Sequence, residues 1–261
     1  MKNDIFVEHV DVGYEKIKIV NDVSLRFNDG EITTIIGPNG CGKSTLLKAM
    51  TRIIPYRKGS IYLDGAAIAK YNTKELAKRL AILPQIAENP VGLTVGELVS
   101  YGRFPHQSGF AKLTNEDYEI IDWALDVTNT LDYKYREVDT LSGGQRQRVW
   151  IAMALAQKTD IIFLDEPTTY LDMAHQLEVL QLLKKLNEEQ GRTVIMVLHD
   201  LNHAARFSHS LIALRDGELV KQGSVEEMMQ RDVLATVFNI DATIVRDPKT
   251  DKPVCLSYEL I

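Results

Sequence analysis

The sequence predicts an α/β fold: a parallel β-sheet covered by helices, with a run of strands in front and a helical block inserted. Three observations carry this. Through the second half, short apolar strands alternate with amphipathic helices, the order expected of parallel strands joined by helical crossovers. Residues 5–36 read as strands alone, and residues 92–140 read mainly as helix.

Residues 5–10, 17–27 and 31–36 have the β-branched or alternating apolar character of strands, and Asn28-Asp29-Gly30 reads as the turn before the third. From Lys43 the pattern changes to helix through Leu46, Leu47 and Met50. Residues 59–65 return to strand, and residues 80–83 form a short strand of buried type. In the helical block, Thr94 with Glu97 and Thr114 with Asp117 have the spacing of helix-start capping boxes. Strand 161–164, helix 174–189, strand 193–198 and helix 201–207 follow, with Leu177, Leu180, Leu183 and Leu186 as the expected core stripe of the longer helix. Residues 211–214 and 218–220 flank Asp216-Gly217, a hairpin-favouring dipeptide. The last 35 or so residues are mixed in pattern and are assigned only a packing role.

The chain has 261 residues, is 45% hydrophobic and carries a net charge of −6. That balance argues against a general nucleic-acid binder, which needs a basic stripe, but not against phosphate ligands. No apolar stretch near the start is long enough for a signal peptide. The apolar runs at residues 161–164 and 194–198 fall far short of the ~20 residues that span a bilayer. Cys41 and Cys255 give no sign of a disulfide framework. The expectation is a soluble protein of a reducing compartment, which would need a partner to hold it at a membrane.

Gly37-Pro38-Asn39-Gly40-Cys41-Gly42-Lys43-Ser44 matches GxxxxGK[ST] between a predicted strand and a predicted helix. The glycines let backbone amides turn towards phosphate oxygens, and the helix adds its positive N-terminal end. Lys43 is expected to contact the β- and γ-phosphates of a nucleotide, and Ser44 to offer a hydroxyl to Mg²⁺. Cys41 reads as a small spacer, although a helix N-terminus can lower a thiol pKa.

Residues 161–166, IIFLDE, form an apolar strand ending in two carboxylates at the edge where open α/β folds bind ligands. Asp165 is expected to hold Mg²⁺ directly or through water, and Glu166, on the opposite side of the strand, to polarise an attacking water. Leu141-Ser142-Gly143-Gly144-Gln145 opens a further helix. By physics alone this is either a well-capped helix or a second phosphate site.

Taken together, GPNGCGKST at 37–45, LSGGQ at 141–145 and IIFLDEP at 161–167 resemble the ATPase cassette of ABC transporters, over nearly the whole chain and in that family's motif order. The resemblance implies a P-loop NTPase fold, the ABC ATPase cassette: a RecA-like sheet core, an N-terminal antiparallel β subdomain and an inserted α-helical subdomain. Residues 1–261 would form a single ABC ATPase domain, with about 1–90 and 157–261 as the catalytic α/β and β core and about 91–156 as the helical signature subdomain. ATP and Mg²⁺ are the implied ligands. Carried over by position, Gly37, Asn39, Gly40, Cys41, Gly42, Lys43, Ser44 and Thr45 bind nucleotide. Tyr14 resembles the aromatic that stacks on adenine, though a strand-edge core tyrosine reads the same way. Gln85 sits where the family's loop glutamine meets Mg²⁺ and water and senses the partner. Asp172, after Leu171, resembles the loop linking two active sites, and His199 resembles the histidine at the γ-phosphate. Two copies would pack head to tail, each ATP lying between one copy's phosphate loop and Ser142, Gly143, Gly144 and Gln145 of the other.

Residues 94–106, 168–176 and 198–209 are similar to the ATPases of iron–siderophore and vitamin B12 importers, which points to ferric siderophore uptake, hydroxamates included. The implied partners are integral membrane permease subunits and, indirectly, a substrate-binding protein, with no nucleic acid; the implied place is the cytoplasmic face of the cell membrane. Residues 89–110, with Tyr101, Phe104 and His106, would line the groove for the permease's coupling helix, or serve as local core and turn. The alternatives are a soluble ABC ATPase serving a scaffold such as that of iron–sulfur cluster assembly, and an importer ATPase for vitamin B12, haem or metal. The absence of a long heptad insertion disfavours chromosome-organising and DNA-repair relatives. A metal site from His175, His199, His203 and His209 is disfavoured, because the i,i+4 pair lacks the glutamate of a metalloprotease helix.

Overall fold

The computed structural model describes residues 4–85, 91–107, 112–169 and 171–261. In chain order its elements are β1 (Ile5–Tyr14), β2 (Ile17–Phe27), β3 (Ile32–Ile36), α1 (Lys43–Met50), β4 (Tyr56–Leu63), β5 (Ala66–Ala67), α2 (Thr73–Ala77), β6 (Leu80–Leu83), α3 (Val95–Ser100), α4 (Asn115–Val127), α5 (Gly143–Ala156), β7 (Ile161–Asp165), α6 (Met173–Gln190), β8 (Thr193–Val197), α7 (Leu201–Phe207), β9 (Ser210–Arg215), β10 (Glu218–Ser224), α8 (Val225–Met228), α9 (Arg231–Phe238), β11 (Ile240–Arg246) and β12 (Pro253–Leu260). They group into two compact units, Met1–Lys70 with Asn187–Ile261, and Tyr71–Leu186. Among the described residues no helix is long and apolar enough to cross a membrane.

In the first unit, β2, β1, β4 and β5 form an antiparallel sheet in that order. Ile5, Val7, Val10 and Val12 of β1 are buried, and register shifts between Val7 and Val12 keep them inward despite the uneven spacing. Beside this sheet in the same unit lies a second set of strands. There β3 runs parallel to both β8 and β9, and β10 returns antiparallel to β9. Every residue of β3 and β8 is buried, as expected for parallel strands covered on both faces. Two threonines in β3 are tolerated there because they have partners. Thr34 Oγ1 shares a hydrogen bond of 2.6 Å with Ser208 Oγ, and Thr33 Oγ1 one of 2.9 Å with Ser210 Oγ. Asp216 (φ 50°) and Gly217 (φ 81°) both take the left-handed backbone that a two-residue hairpin turn needs, so the predicted β9–β10 hairpin is present.

The second unit pairs β6 with β7 in parallel, Leu80 opposite Ile161 through Leu83 opposite Leu164. Helices α3, α4 and α5 pack on one another. Both predicted capping boxes exist, Thr94 with Glu97 on α3 and Thr114 with Asp117 on α4. Each joins a side chain to a backbone amide three residues away, so the signal is entirely local. Asp117 also accepts a bond of 2.8 Å from Arg103 Nε, in a buried pair that ties the 3₁₀ segment Tyr101–His106 to α4.

The structure corrects the sequence in three places. The core stripe of α6 is Val179, Leu180, Leu183 and Leu186, while Leu177 is only half-buried. Positions three apart lag a 3.6-residue turn by about 60° per step, so four such positions cannot share one face. The strand expected at 59–65 is β4, which ends at Leu63; Asp64 (φ 52°) and Gly65 (φ 77°) form the turn into β5. The mixed C-terminal stretch folds into α8, α9 and the β11–β12 hairpin, held to α7 by Asn202, which donates to the Cys255 carbonyl at 3.1 Å and accepts from its amide at 2.8 Å. Of the 89–110 segment, residues 89, 90 and 108–110 lie outside the described residues, as does Tyr170 of the 168–176 motif.

Candidate functional site

The first unit carries the phosphate-type loop. β3 ends at Ile36, and the chain turns through Gly37 at φ 150°. A Cβ there would stand 2.2 Å from the Leu214 carbonyl oxygen and 2.8 Å from Cys41 Sγ, so only glycine fits. Asn39 and Gly40 are exposed at the crest, and Gly42 leads into α1 without a side chain to cap it. The amides of the first turn of α1, which include Ser44 and Thr45, therefore meet no cap side chain, the condition for anion binding at a helix N-terminus. Lys43 is buried, and its Nζ donates to the carbonyls of Gly37 and Pro38, both at 2.9 Å, which holds the ammonium inside the loop's curve. Burial pushes the Cys41 thiol up from its ordinary pKa against the opposing pull of Lys43, so the neutral thiol acts as a packing spacer under Gly37.

Two further expected residues share this unit. β3 and β8 are parallel neighbours, so the chain leaves both at one edge, into Gly37 from β3 and towards the exposed His199 from β8. Asp200, next in sequence, caps α7 by accepting from the His203 amide at 2.7 Å, which fixes where the chain turns after His199. Tyr14 ends β1 opposite Ile17 and is 46% exposed, so its ring is available rather than core. β2 carries that end to the loop: a Cβ on Gly42 would lie 3.1 Å from Val20 Cγ2 and 3.2 Å from the Ile19 carbonyl.

The second unit carries the carboxylates. β7 is buried along its length and delivers Asp165, 1% exposed, at its end. Glu166 follows with φ 55°, a left-handed conformation that costs a non-glycine residue about 1–2 kcal/mol. Its carboxylate Oε2 accepts from Gln85 Nε2 at 2.7 Å and from Thr169 Oγ1 at 3.0 Å. Gln85 and Glu166, 81 residues apart in sequence, are thus brought together.

The same unit presents the LSGGQ helix start. Ser142 caps α5 by accepting from the Gln145 amide at 3.3 Å, and Gln145 Oε1 accepts in return from the Ser142 amide at 3.0 Å. Gln145 is fixed further by donating to Tyr133 Oη at 3.1 Å. Ser142 and Gly143 are exposed, so the box leaves the leading amides of α5 facing outward beside a positive helix end. Asp172 caps α6: its Oδ1 accepts from the His175 amide at 3.0 Å and from His175 Nδ1 at 2.8 Å. The hydrogen bond from the His175 amide, then that from the ring, hold this carboxyl below its usual pKa.

The four histidines considered for a metal have separate surroundings. His175 serves Asp172, His203 meets Phe207 edge-on at 6.3 Å, and His209 Nδ1 accepts from the Ile32 amide at 2.9 Å. Among the described residues no group of three or more His, Cys, Asp or Glu is placed to hold a metal ion. Sequence reasoning missed Thr169, Gln147 and the pairing of His175 with Asp172. The His175 ring packs on Gly144, where a Cβ would come within 3.1 Å, and Gln147 Nε2 donates to the Pro167 carbonyl at 3.0 Å. Only His175, three residues after Asp172, carried a readable signal, that of a side chain at the third position of a capped helix.

The sequence model of the ABC transporter family matches residues 20–169. The chain is 61% identical over 259 residues to the iron(3+)-hydroxamate import ATP-binding protein FhuC of Bacillus subtilis, covering 99% of this chain and 96% of that protein. It is 45% identical over 247 residues to the ferric enterobactin transport ATP-binding protein FepC of Escherichia coli, covering 95% and 91%. Among solved structures it is similar to a chain from an inward-facing conformation of a transporter assigned to the metal-chelate ABC type, with TM-score 0.84, 30% identity and 98% of each chain covered. It is also similar to the dimeric bacterial ABC transporter cassette MJ0796, with TM-score 0.76, 33% identity, 84% of this chain and 98% of that one covered. The chain belongs to the ABC transporter family, as one of its nucleotide-binding ATPase subunits.

Proposed function

We propose that this chain hydrolyses ATP to drive the uptake of iron–siderophore complexes, ferric hydroxamates foremost, through permease subunits in the cytoplasmic membrane. The observation that carries the cargo is the 61% identity over 99% of the chain to a ferric hydroxamate import ATPase. Relatives named for petrobactin and enterobactin, at 45% identity, support the same class of cargo. The dimeric cassettes among the similar structures, one bound to ADP and phosphate, support work as a pair of copies. In that pair the chain sits peripherally on the membrane's cytoplasmic face, with a substrate-binding protein delivering cargo on the other side.

The roles are those the family resemblance implies, each within the chemistry its group can perform. Lys43 and the amides of Gly37, Asn39, Gly40, Cys41, Gly42, Ser44 and Thr45 neutralise and orient the phosphates, and the Tyr14 ring offers a stacking face for adenine. Glu166 accepts a hydrogen bond from the attacking water and raises its nucleophilicity, with Gln85 beside it. His199 contributes a hydrogen bond at the γ-phosphate, where charge develops. Ser142, Gly143, Gly144 and Gln145 present a second set of amides to the nucleotide of the other copy, and Asp172 communicates between the two sites. Ser44, Gln85 and Asp165 offer oxygen donors only, the hard ligands Mg²⁺ prefers, and that ion when bound would draw charge from the β- and γ-phosphates. Residues 91–156 act as the helical signature subdomain within a single ABC ATPase domain.

The test is uptake of radiolabelled ferric hydroxamate in cells lacking this chain, with the intact chain or Glu166→Gln restored. The expected result is uptake with the intact chain and none with the variant. Normal uptake without the chain would reject the cargo and favour another substrate or a soluble scaffold partner.

A further inference from the structure

Thr169 touches Glu166 twice. Its backbone N–H donates to the Glu166 carbonyl at 3.2 Å, closing a four-residue turn. Its Oγ1 donates to Glu166 Oε2 at 3.0 Å. Pro167 occupies the second position of that turn, where its fixed φ is favoured, and its carbonyl is held by Gln147 from α5. A left-handed residue persists only where its surroundings over-determine it, and here the closing residue of the turn supplies much of that constraint.

The side-chain bond does something the backbone bond cannot. A carboxylate rotates freely about its last torsion unless an oxygen is fixed. Gln85 and Thr169 converge on the same oxygen, Oε2, one from a distant loop and one from three residues along. Pinning Oε2 sets the direction of Oε1.

We propose that Thr169 is a positioning residue for hydrolysis: its hydroxyl, together with the Gln85 amide, fixes the plane of the Glu166 carboxylate so that Oε1 points at the water to be activated. The inference rests on the reading of Glu166 as the group that polarises that water, and adds which residue aims it. Thr169 acts through Glu166, to which its hydroxyl proton is committed, and not on the reactants themselves.

The test compares Thr169→Val, which keeps the branched shape and loses the hydroxyl, with Thr169→Ser, which keeps the hydroxyl. ATP turnover is measured for the full-length chain in complex with its permease. Removing an orienting bond at a reacting group should lower kcat by about 10- to 100-fold, with KM for ATP changed by less than about twofold. Thr169→Ser should keep kcat within about threefold of the parent. In a Glu166→Gln background, Thr169→Val should add no further loss, because no carboxylate is left to aim. Thr169→Ala, which cannot crowd the turn, should match Thr169→Val and keep the parent's melting temperature. Parental kcat in Thr169→Val, an equal loss in Thr169→Ser, or an additive loss in the double variant would overturn the proposal while leaving Glu166 in its role. Parental turnover in Glu166→Gln alone would overturn that role and the proposal with it.

Discussion

Between β3 and α1 the loop is shaped by a residue without a side chain, Gly37, and by the buried ammonium of Lys43 inside its curve. Between β7 and α6 the expected site residues are side chains, and Glu166 and Asp172 are held there by other side chains or a neighbouring amide. Gly37 fits because nothing projects from it towards Leu214, whereas the Glu166 carboxylate is placed because Gln85 and Thr169 hold its oxygen. Two consequences differ. The first region should fail when a carbon is added, since backbone cannot move aside. The second should fail when a single atom changes from oxygen to nitrogen, with the fold intact.

Gly37→Ala is the largest expected break. The new Cβ would lie 2.2 Å from a main-chain oxygen in a glycine-type conformation, so a loss of about 2–4 kcal/mol is expected with loss of nucleotide affinity. Urea unfolding and a nucleotide titration of the same preparation check both. Parental values would mean the loop does not depend on its backbone shape. Ser142→Ala removes one reciprocal cap and should cost about 1 kcal/mol, read as a shift in the urea midpoint. No shift would mean the box is incidental. The smallest structural effect is expected from Gly143→Ala, where a Cβ meets nothing within 4 Å, so stability should change by no more than about 0.5 kcal/mol. Phosphate release should nonetheless fall, because the added methyl would stand before the amides of α5. Unchanged release would remove that helix start from the site.

This division also explains what could be read in advance. The loop was legible because its constraint is written in residue types: glycines, a lysine and a flanking apolar strand. The helix starts at Thr94, Thr114 and Ser142 were legible because both halves of each box lie within four residues. Family resemblance placed Gln85 at Mg²⁺ and water, but its hydrogen bond to Glu166 is not legible in the sequence, since no local pattern links residues so far apart. Thr169 was invisible because its role depends on Glu166 adopting a left-handed backbone, which the letters do not announce. The β11–β12 hairpin escaped for a different reason. Leu256, Tyr258 and Leu260 are all well exposed, so the alternation that marks a half-buried strand points outward here.

Binding and hydrolysis should be separable between these two regions. The direct measurement is ATP affinity and phosphate release for Lys43→Ala and Glu166→Gln, side by side with the parent. Lys43→Ala should lose affinity by about 100-fold and release with it, as a buried ammonium is removed from the phosphates. Glu166→Gln should keep parental affinity, lose release, and accumulate as an ATP-bound dimer. Parental affinity in the first variant, or parental release in the second, would contradict the account.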